Sequence, residues 1–383
     1  MTGARVLLVN SQGADEFSGG AERYVAQLAD GFVARGFEVE ILSAFPSRTH
    51  GRRVTVVHDS DWRTSRARRY RNHLGDVVSV PTRKLDEIVA RVRPDLVHTN
   101  NLPGLSTGIW AVAQRRGVPV VHTLHDYYLL CPRVTLLRPD GTPCRPHPLL
   151  CGLRTKRLAR WAGAVSQLVA VSNHVLDRHR HLFPAAAAHT IRLFAAPSSR
   201  KLRPPGERPA TLGYLGSLER TKGIPELLGA APGLALLGCE LRIAGNGRLR
   251  PDVEAAAARE PNVSYVGPVA DDDKERFLED SDVGIVPSVW EEPGAPAMTV
   301  LEWLGAGRPV LVSPRGGAAE VVDELAGAVA VQPDTDEIVA AVEALAAPGT
   351  WPEAVRRVRA PEGNLEDWLS AHERVYESAL GRT

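Results

Sequence analysis

Three observations predict an α/β protein built from two parallel-sheet domains. The chain has 383 residues, 44% of them apolar, which is more than a single ordinary core takes up. Short β-branched runs alternate with longer amphipathic stretches along most of its length. That alternation is interrupted once, near the middle, by a charged and proline-rich stretch.

In the first half, "RVLLVN", "EVEILSA", "DLVHTN", "VPVVHTLH" and "LVAVSN" read as strands, with helical segments such as "GAERYVAQLADGFVARG" between several of them. Strands separated by helices pair in parallel, because a parallel partner can be reached only through a long crossover. The segment "FAAPSSRKLRPPGERPA" (194–210) then has no apolar period and reads as a linker. Beyond it "TLGYLG", "LRIAGNG", "VSYVG", "VGIVPS", "PVLVS" and "AVAVQ" repeat the strand pattern, with "PELLGAAPGLALL", "RPDVEAAAARE" and "DDKERFLEDSD" as helices. The expected division is a first Rossmann-like domain over 1–196, a linker over 197–209, a second Rossmann-like domain over 210–362, and a helix over 363–383 that returns to the first. In open sheets of this type ligands sit beyond the carboxyl ends of the strands, so the expected active site is a cleft between the halves.

Composition excludes several classes. Lys plus Arg (46) nearly cancels Asp plus Glu (45), so no global field draws the chain to nucleic acid. No apolar run is long enough to span a bilayer, and "MTGARVLLVN" enters a strand without a leader pattern, so a cytoplasmic protein is expected. Four cysteines in so long a chain do not make a disulfide scaffold.

The chemistry is expected in the loops at the strand ends. "VGIVPS" reads as a strand, "VWEEPGAP" as the loop after it and "AMTVLEWLGAG" as the next helix. A helix start offers unpaired N–H groups and the positive end of a dipole, so the amides of Ala297, Met298, Thr299 and Val300 are candidates to hold a phosphate. Glu302, one turn further in, would repel a phosphate but accept hydrogen bonds from the vicinal hydroxyls of a ribose. Glu291 or Glu292 would then lie near whatever the diphosphate carries. In "YLGSLERTKGIPELL" a glycine turn places Lys222 just before a helix, where a compact cation can neutralise a diphosphate leaving group. Gly19 and Gly20 open a helix after the first strand and let the backbone approach a phosphate or sugar closely. "RGGAAE" repeats the device with Gly316, Gly317 and Glu320.

Taken in this order and spacing, these segments resemble the retaining glycosyltransferases of family 4, which have the GT-B fold. The resemblance covers nearly the whole chain, from "GGAERYVAQLADGFVARGFEVEILS" through "RPDLVHTN", "VPVVHTLHDYYLLCPR", "YLGSLERTKGI" and "LRIAGNG" to "EEPGAPAMTVLEWLGAGRPVLVSPRGGAAEVV". It implies transfer of a sugar from a nucleotide sugar, UDP preferred over GDP, to a hydroxyl acceptor, with retention and without a catalytic metal. It gives Gly19 and Gly20 the donor phosphate and sugar, His125 an active-site position, Lys222 the diphosphate and Glu302 the ribose. Gly245 and Glu320 fall near the donor pocket. The family's paired glutamates usually lie closer in sequence than Glu292 and Glu302 do, which leaves the choice between Glu291 and Glu292 open. The family commonly carries an arginine where Ser217 stands, with Arg220 as a candidate substitute. The acceptor is a small molecule, a lipid or a glycan. A nucleotide-sugar epimerase and an idle nucleotide-sugar binder are the alternatives.

Two further features stand apart. "CPRVTLLRPDGTPCRPHPLLC" gathers Cys131, Cys144, His147 and Cys151, a candidate structural zinc set against a reading of scattered free thiols. The basic run "DWRTSRARRYRNHL" (61–74) is a candidate for weak peripheral membrane contact, against a solvated segment; "CGLRTKRLARW" is weighed the same way. "DDDKERF" is assigned no chemistry, since acidic residues at a helix start are explained by the dipole.

Overall fold

The computed structural model describes residues 3–12, 19–44, 53–57, 83–138, 141–145, 148–195, 206–294, 297–360 and 363–382. The chain divides into two compact units, one of residues 1–138, 142–192 and 364–383, the other of 193–363 with 139–141. The basic run 61–74 and most of the expected linker lie outside the described residues.

The first unit holds a parallel sheet of seven described strands, β1 (Arg5–Asn10), β2 (Glu38–Ser43), β3 (Arg53–Val56), β4 (Leu96–Thr99), β5 (Val120–Leu124), β6 (Val165–Ala170) and β7 (Ala187–Thr190), in the order β3-β2-β1-β4-β5-β6-β7. The inner strands are covered on both faces, and Leu7, Leu8 and Val9 are fully buried. That accounts for runs of apolar residues where alternation would otherwise be expected. Helices α1 (Gly20–Ala34), α2 (Arg83–Val92), α3 (Gly108–Arg115), α4 (Leu149–Leu158) and α5 (Asn173–His179) connect them. Helix α1 turns Tyr24, Val25, Leu28, Ala29 and Phe32 inward, an i, i+4, i+8 stripe with its flank. Strands β3 and β7 were not anticipated: both are four-residue sheet edges, β3 a short β-branched run (RVTV) and β7 (AAHT) rich in alanine, without the β-branched signal of the inner strands.

The second unit repeats the plan with β8 (Thr211–Leu215), β9 (Glu240–Ala244), β10 (Val263–Gly267), β11 (Val283–Val286), β12 (Val310–Val312) and β13 (Ala328–Ala330), ordered β10-β9-β8-β11-β12-β13. Its helices are α6 (Ile224–Leu236), α7 (Arg250–Arg259), α8 (Asp271–Glu279), α9 (Met298–Gly305), α10 (Thr335–Ala346) and α11 (Thr350–Arg357). Trp303 of α9 is fully buried against this sheet. A Cβ on Gly213 or Gly284 would come within 2.6 Å of its ring, so both strands carry a glycine where the indole lies. In each unit the chain leaves the first strand toward one edge and returns to its other side, at β1/β4 and at β8/β11. Such a switch point opens a crevice at the carboxyl ends of the strands.

The final amphipathic segment divides. Helix α11 belongs to the second unit, and α12 (Leu365–Ala379) belongs to the first. Asn364 caps α12 by accepting from the Asp367 amide at 2.8 Å. The helix buries Trp368, Leu369, Val375 and Tyr376, each contributing roughly 1.5–3 kcal/mol by removal from water. A Cβ on Gly31 of α1 would stand 2.4 Å from Leu369, so the two helices pack closely there. Arg35 closes the contact with Glu373 at 2.8 Å and Glu366 at 2.6 Å. No helix among the described residues is long and apolar enough to cross a membrane.

Candidate active site

In the second unit the site is assembled by loops at the β8/β11 switch point. After β8 the chain makes one 3-10 turn, Arg220–Lys222, and enters α6 through Gly223 at φ 76°. A Cβ there would stand 1.9 Å from the Pro287 carbonyl. Only glycine lets this turn close on the loop that follows β11. Lys222 thereby reaches Glu292, Nζ to Oε1 at 2.6 Å, and the Ser288 hydroxyl donates to the same oxygen at 2.5 Å. Nζ also lies 5.2 Å from the centre of the Trp290 ring. Glu292 is buried, and burial opposes its ionisation. The charge of Lys222 and the donors around it outweigh that cost and hold the carboxyl below the usual carboxylate range.

The backbone of Glu292 is fixed as firmly as its side chain. It forms a parallel bridge with Gly316, and the Gly317 amide donates to its carbonyl at 2.6 Å. Gly316 sits at φ 66°, where a Cβ would come within 2.4 Å of that same carbonyl. The two glycines of "RGGAAE" therefore clamp the acidic loop, and Glu320 follows half-buried in the turn Gly317–Glu320. Glu291 is half-buried beside it, while the contact with Lys222 is made by Glu292.

Helix α9 begins after Ala297. The Val300 amide already donates to the Ala297 carbonyl at 3.0 Å, so of the four amides expected to face a phosphate, that of Val300 is committed inside the helix. Glu302 lies one turn further and is buried, its Oε1 accepting from Lys274 of α8 at 2.9 Å. Gly245 follows β9, its carbonyl accepting from the Tyr265 hydroxyl at 2.9 Å. Ser217 and Arg220 are exposed, with the Ser217 carbonyl taking the Tyr214 hydroxyl at 2.7 Å.

In the first unit Gly19 caps α1 and Gly20 begins it, after a loop whose residues 13–18 lie outside the described set. His125 follows β5 in a small recess lined by Asn100, Asn101, Asp126, Tyr128 and Leu129 among others. Its Nε2–H donates to Asn100 Oδ1 at 2.9 Å, and the edge of Tyr24 packs on its ring at 4.6 Å. Burial, reinforced by His372, lowers its pKa to about 3, so the imidazole is neutral with Nδ1 as its acceptor. Behind it runs a buried chain whose proton order is fixed at one end. His372 Nδ1–H donates to the Trp368 carbonyl at 2.7 Å, so its Nε2 accepts the Tyr24 hydroxyl at 2.5 Å. The Tyr24 oxygen then accepts from Thr123 at 3.3 Å, Thr123 from His98 Nε2–H at 2.7 Å, and His98 Nδ1 from the Tyr376 hydroxyl at 2.6 Å. His122 is packing, set between Trp110 and Phe183 with Nδ1 at Thr99.

Several residues of these sites carried no sequence signal. Asp126 is pushed up to about 6, first by burial and then by the charge of Glu22, against the Tyr128 amide and Arg154. It merely follows a histidine in sequence. Asn100, Ser288 and Lys274 were likewise unmarked, Lys274 because it sits in an acidic run that the helix dipole already explains.

Cys131 is buried and Cys144 and Cys151 are half-buried, all as free thiols. Burial, then the charges of Cys131 and Cys144, push the Cys151 thiol up. His147 lies outside the described residues, and among those described no three His, Cys, Asp or Glu side chains converge as metal ligands. The three described thiols thus do not form a zinc set by themselves.

Comparison with known proteins matches residues 18–194 to the family described as Glycosyltransferase Family 4 and residues 209–347 to that described as Glycosyl transferases group 1. The chain is 27% identical over 339 residues to an uncharacterized 42.6 kDa protein in the cps region of Klebsiella pneumoniae, covering 82% of this chain and 87% of the relative. It is 27% identical to a glycogen synthase of Mycobacterium tuberculosis, covering 98% and 95%. Among solved structures, sucrose-phosphate synthase from Thermosynechococcus elongatus superposes with a TM-score of 0.72 at 17% identity, over 99% of this chain and 100% of that one. Anabaena HepE, in complex with UDP and glucose, superposes at 0.69 with 16% identity over 98% and 100%. These superpositions establish the shared fold of two Rossmann-like domains.

Proposed function

We propose, for a chain that belongs to the family 4, group 1 glycosyltransferases of the GT-B fold, that it transfers a sugar from a nucleotide sugar to a hydroxyl acceptor with retention and without a catalytic metal. The observation that carries this reading is the Lys222–Glu292 pair at the β8/β11 switch point, with the start of α9 and the buried Glu302 beyond it. One loop system thereby offers a cation for a diphosphate, amides for its oxygens, a carboxylate for vicinal hydroxyls and a second carboxylate for the sugar.

In this mechanism the acceptor oxygen bonds to the anomeric carbon from the face that the diphosphate leaves, the bond from that carbon to the diphosphate oxygen breaks, and the hydroxyl proton passes to the departing oxygen. Lys222 exchanges Glu292 for the departing phosphate oxygens, and Glu292, relieved of its cation, accepts from a sugar hydroxyl. Glu302 holds the ribose, oriented by Lys274. In the first unit the neutral His125 offers Nδ1 as an acceptor to a hydroxyl. A uracil nucleotide is preferred, in keeping with the UDP-glucose complex of Anabaena HepE.

Thermal stabilisation by a panel of nucleotide sugars tests the donor, since a ligand that binds only the folded state raises apparent stability. Release of nucleoside diphosphate that requires an added acceptor tests transfer, and the anomeric configuration of the product tests retention. Stabilisation by no nucleotide sugar would remove the reading; release without acceptor would turn it toward an epimerase.

A further inference from the structure

Helix α4 carries an exposed stripe that no part of the transfer reaction uses. Leu149 and Leu150 are 80% and 78% exposed and Leu153 is 54% exposed. Further along the helix and into the following 3-10 turn, Lys156, Arg157 and Arg160 are exposed as well. With 3.6 residues per turn these six side chains fall within roughly 120° of arc. Arg154 and Leu158, on the opposite side, are buried, with Arg154 donating to the Tyr128 carbonyl at 2.7 Å. The outward face is therefore one stripe, apolar over its first half and cationic over its second. Lys156 and Arg157 form no ion pair among the described residues.

Charge sets the stripe apart from the rest of the chain. From Tyr127 to Ala164 the sequence has seven Lys or Arg and one acidic residue, Asp140, in a protein whose totals are 46 and 45. A basic excess held on one segment of a balanced chain is a local field. Three large apolar side chains left in water beside that field are not explained by solubility.

We propose that α4 docks the protein on an anionic bilayer, with Leu149, Leu150 and Leu153 entering the headgroup and acyl boundary and Lys156, Arg157 and Arg160 meeting lipid phosphates. Interfacial helices are bound by this combination of apolar area and attraction to anionic lipid. The complement must be both anionic and penetrable. A free phosphate satisfies the cations and leaves the leucines in water.

Flotation of the full chain with vesicles tests the assignment without any sugar substrate, so its result is separate from that of the transfer reaction. The chain is expected to float with phosphatidylcholine vesicles containing about 30% phosphatidylglycerol, less so at high salt, and not with phosphatidylcholine alone. Leu149→Ser with Leu150→Ser, and separately Lys156→Glu with Arg157→Glu, should each lower the bound fraction about tenfold or more. Unchanged thermal melting serves as the folding control, which surface positions this exposed should satisfy. Failure of the parent chain to float, or flotation that survives the leucine changes, overturns the proposal. So does a parent dimer in sedimentation velocity that the leucine changes dissolve, which would make the stripe a contact between copies.

Discussion

Nζ of Lys222 lies 2.6 Å from Oε1 of Glu292, and the carboxylate is only 5% exposed. The cation assigned to the diphosphate and the carboxylate assigned to the sugar are thus one ion pair, with the carboxylate buried and the lysine half-buried. Neither can be changed without altering the other's charge environment.

Lys222→Ala is therefore expected to act twice. Turnover should fall on the order of a hundredfold, since the leaving group loses its cation. Stability should fall by about 3 kcal/mol, since Glu292 is left buried and uncompensated. Lys222→Met combined with Glu292→Gln should recover most of the stability and none of the turnover, as read by urea unfolding and initial rates. Near-normal turnover in either protein would remove Lys222 from the mechanism.

Glu302→Gln should weaken donor binding by about 1 to 3 kcal/mol, because charge-assisted hydrogen bonds to the ribose become neutral ones. Lys274→Met should weaken it less, by loosening the carboxylate. In calorimetry both losses should shrink for a 2′,3′-dideoxy nucleoside diphosphate. Equal losses for the ribose and dideoxy ligands would mean that the Lys274–Glu302 pair only supports α9.

The buried histidines of the first unit predict acid lability. His122 and His125 are lowered to about 3 and His372 to about 4, each first by burial. Folded values below the unfolded one mean that the unfolded chain binds the protons first. Their contribution to stability is complete above about pH 6.5 and is lost as pH falls from there toward about 4 for His372 and about 3 for His122 and His125, by up to about 1.4 kcal/mol per pH unit for each ring. Denaturant unfolding should show a clear loss between pH 7 and pH 5, reduced in a His372→Asn variant. A flat profile would contradict the neutral, proton-ordered chain from Tyr376 to His372.

Turnover should survive treatment with EDTA, because lysine and helix amides are proposed to meet the leaving group where other transferases use a divalent ion. Loss of activity on chelation, restored by a divalent cation, would overturn that part of the mechanism.

The sequence made the sheet-and-helix plan readable because inner parallel strands are continuous apolar runs, and because loops at their carboxyl ends carry glycines and charges out of keeping with simple turns. Lys222 and Glu302 were visible for that reason. Their partners were not. Lys274 and Glu302 are 28 residues apart on different helices, and nothing local links them. Tyr24 and His372 are 348 apart, and "HERVY" reads as an ordinary face of an amphipathic helix. That Glu292 and not its neighbour Glu291 pairs with Lys222 is a contact between residues 70 apart, which two adjacent identical residues cannot disclose.

The division of the chain has a consequence for its birth. The first unit consists of residues 1–138 and 142–192 together with 364–383, so its last helix is synthesised only after the whole of the second unit. At ordinary elongation rates of about 5–20 residues per second, that is a wait on the order of ten to thirty seconds. Throughout it, the Tyr24 hydroxyl and His98 Nδ1 lack the His372 and Tyr376 that complete them, and the surface that α12 will cover is open to solvent or to a chaperone. The second unit has all its strands in one continuous stretch and can finish first. The half of the chain made first is then the half that matures last.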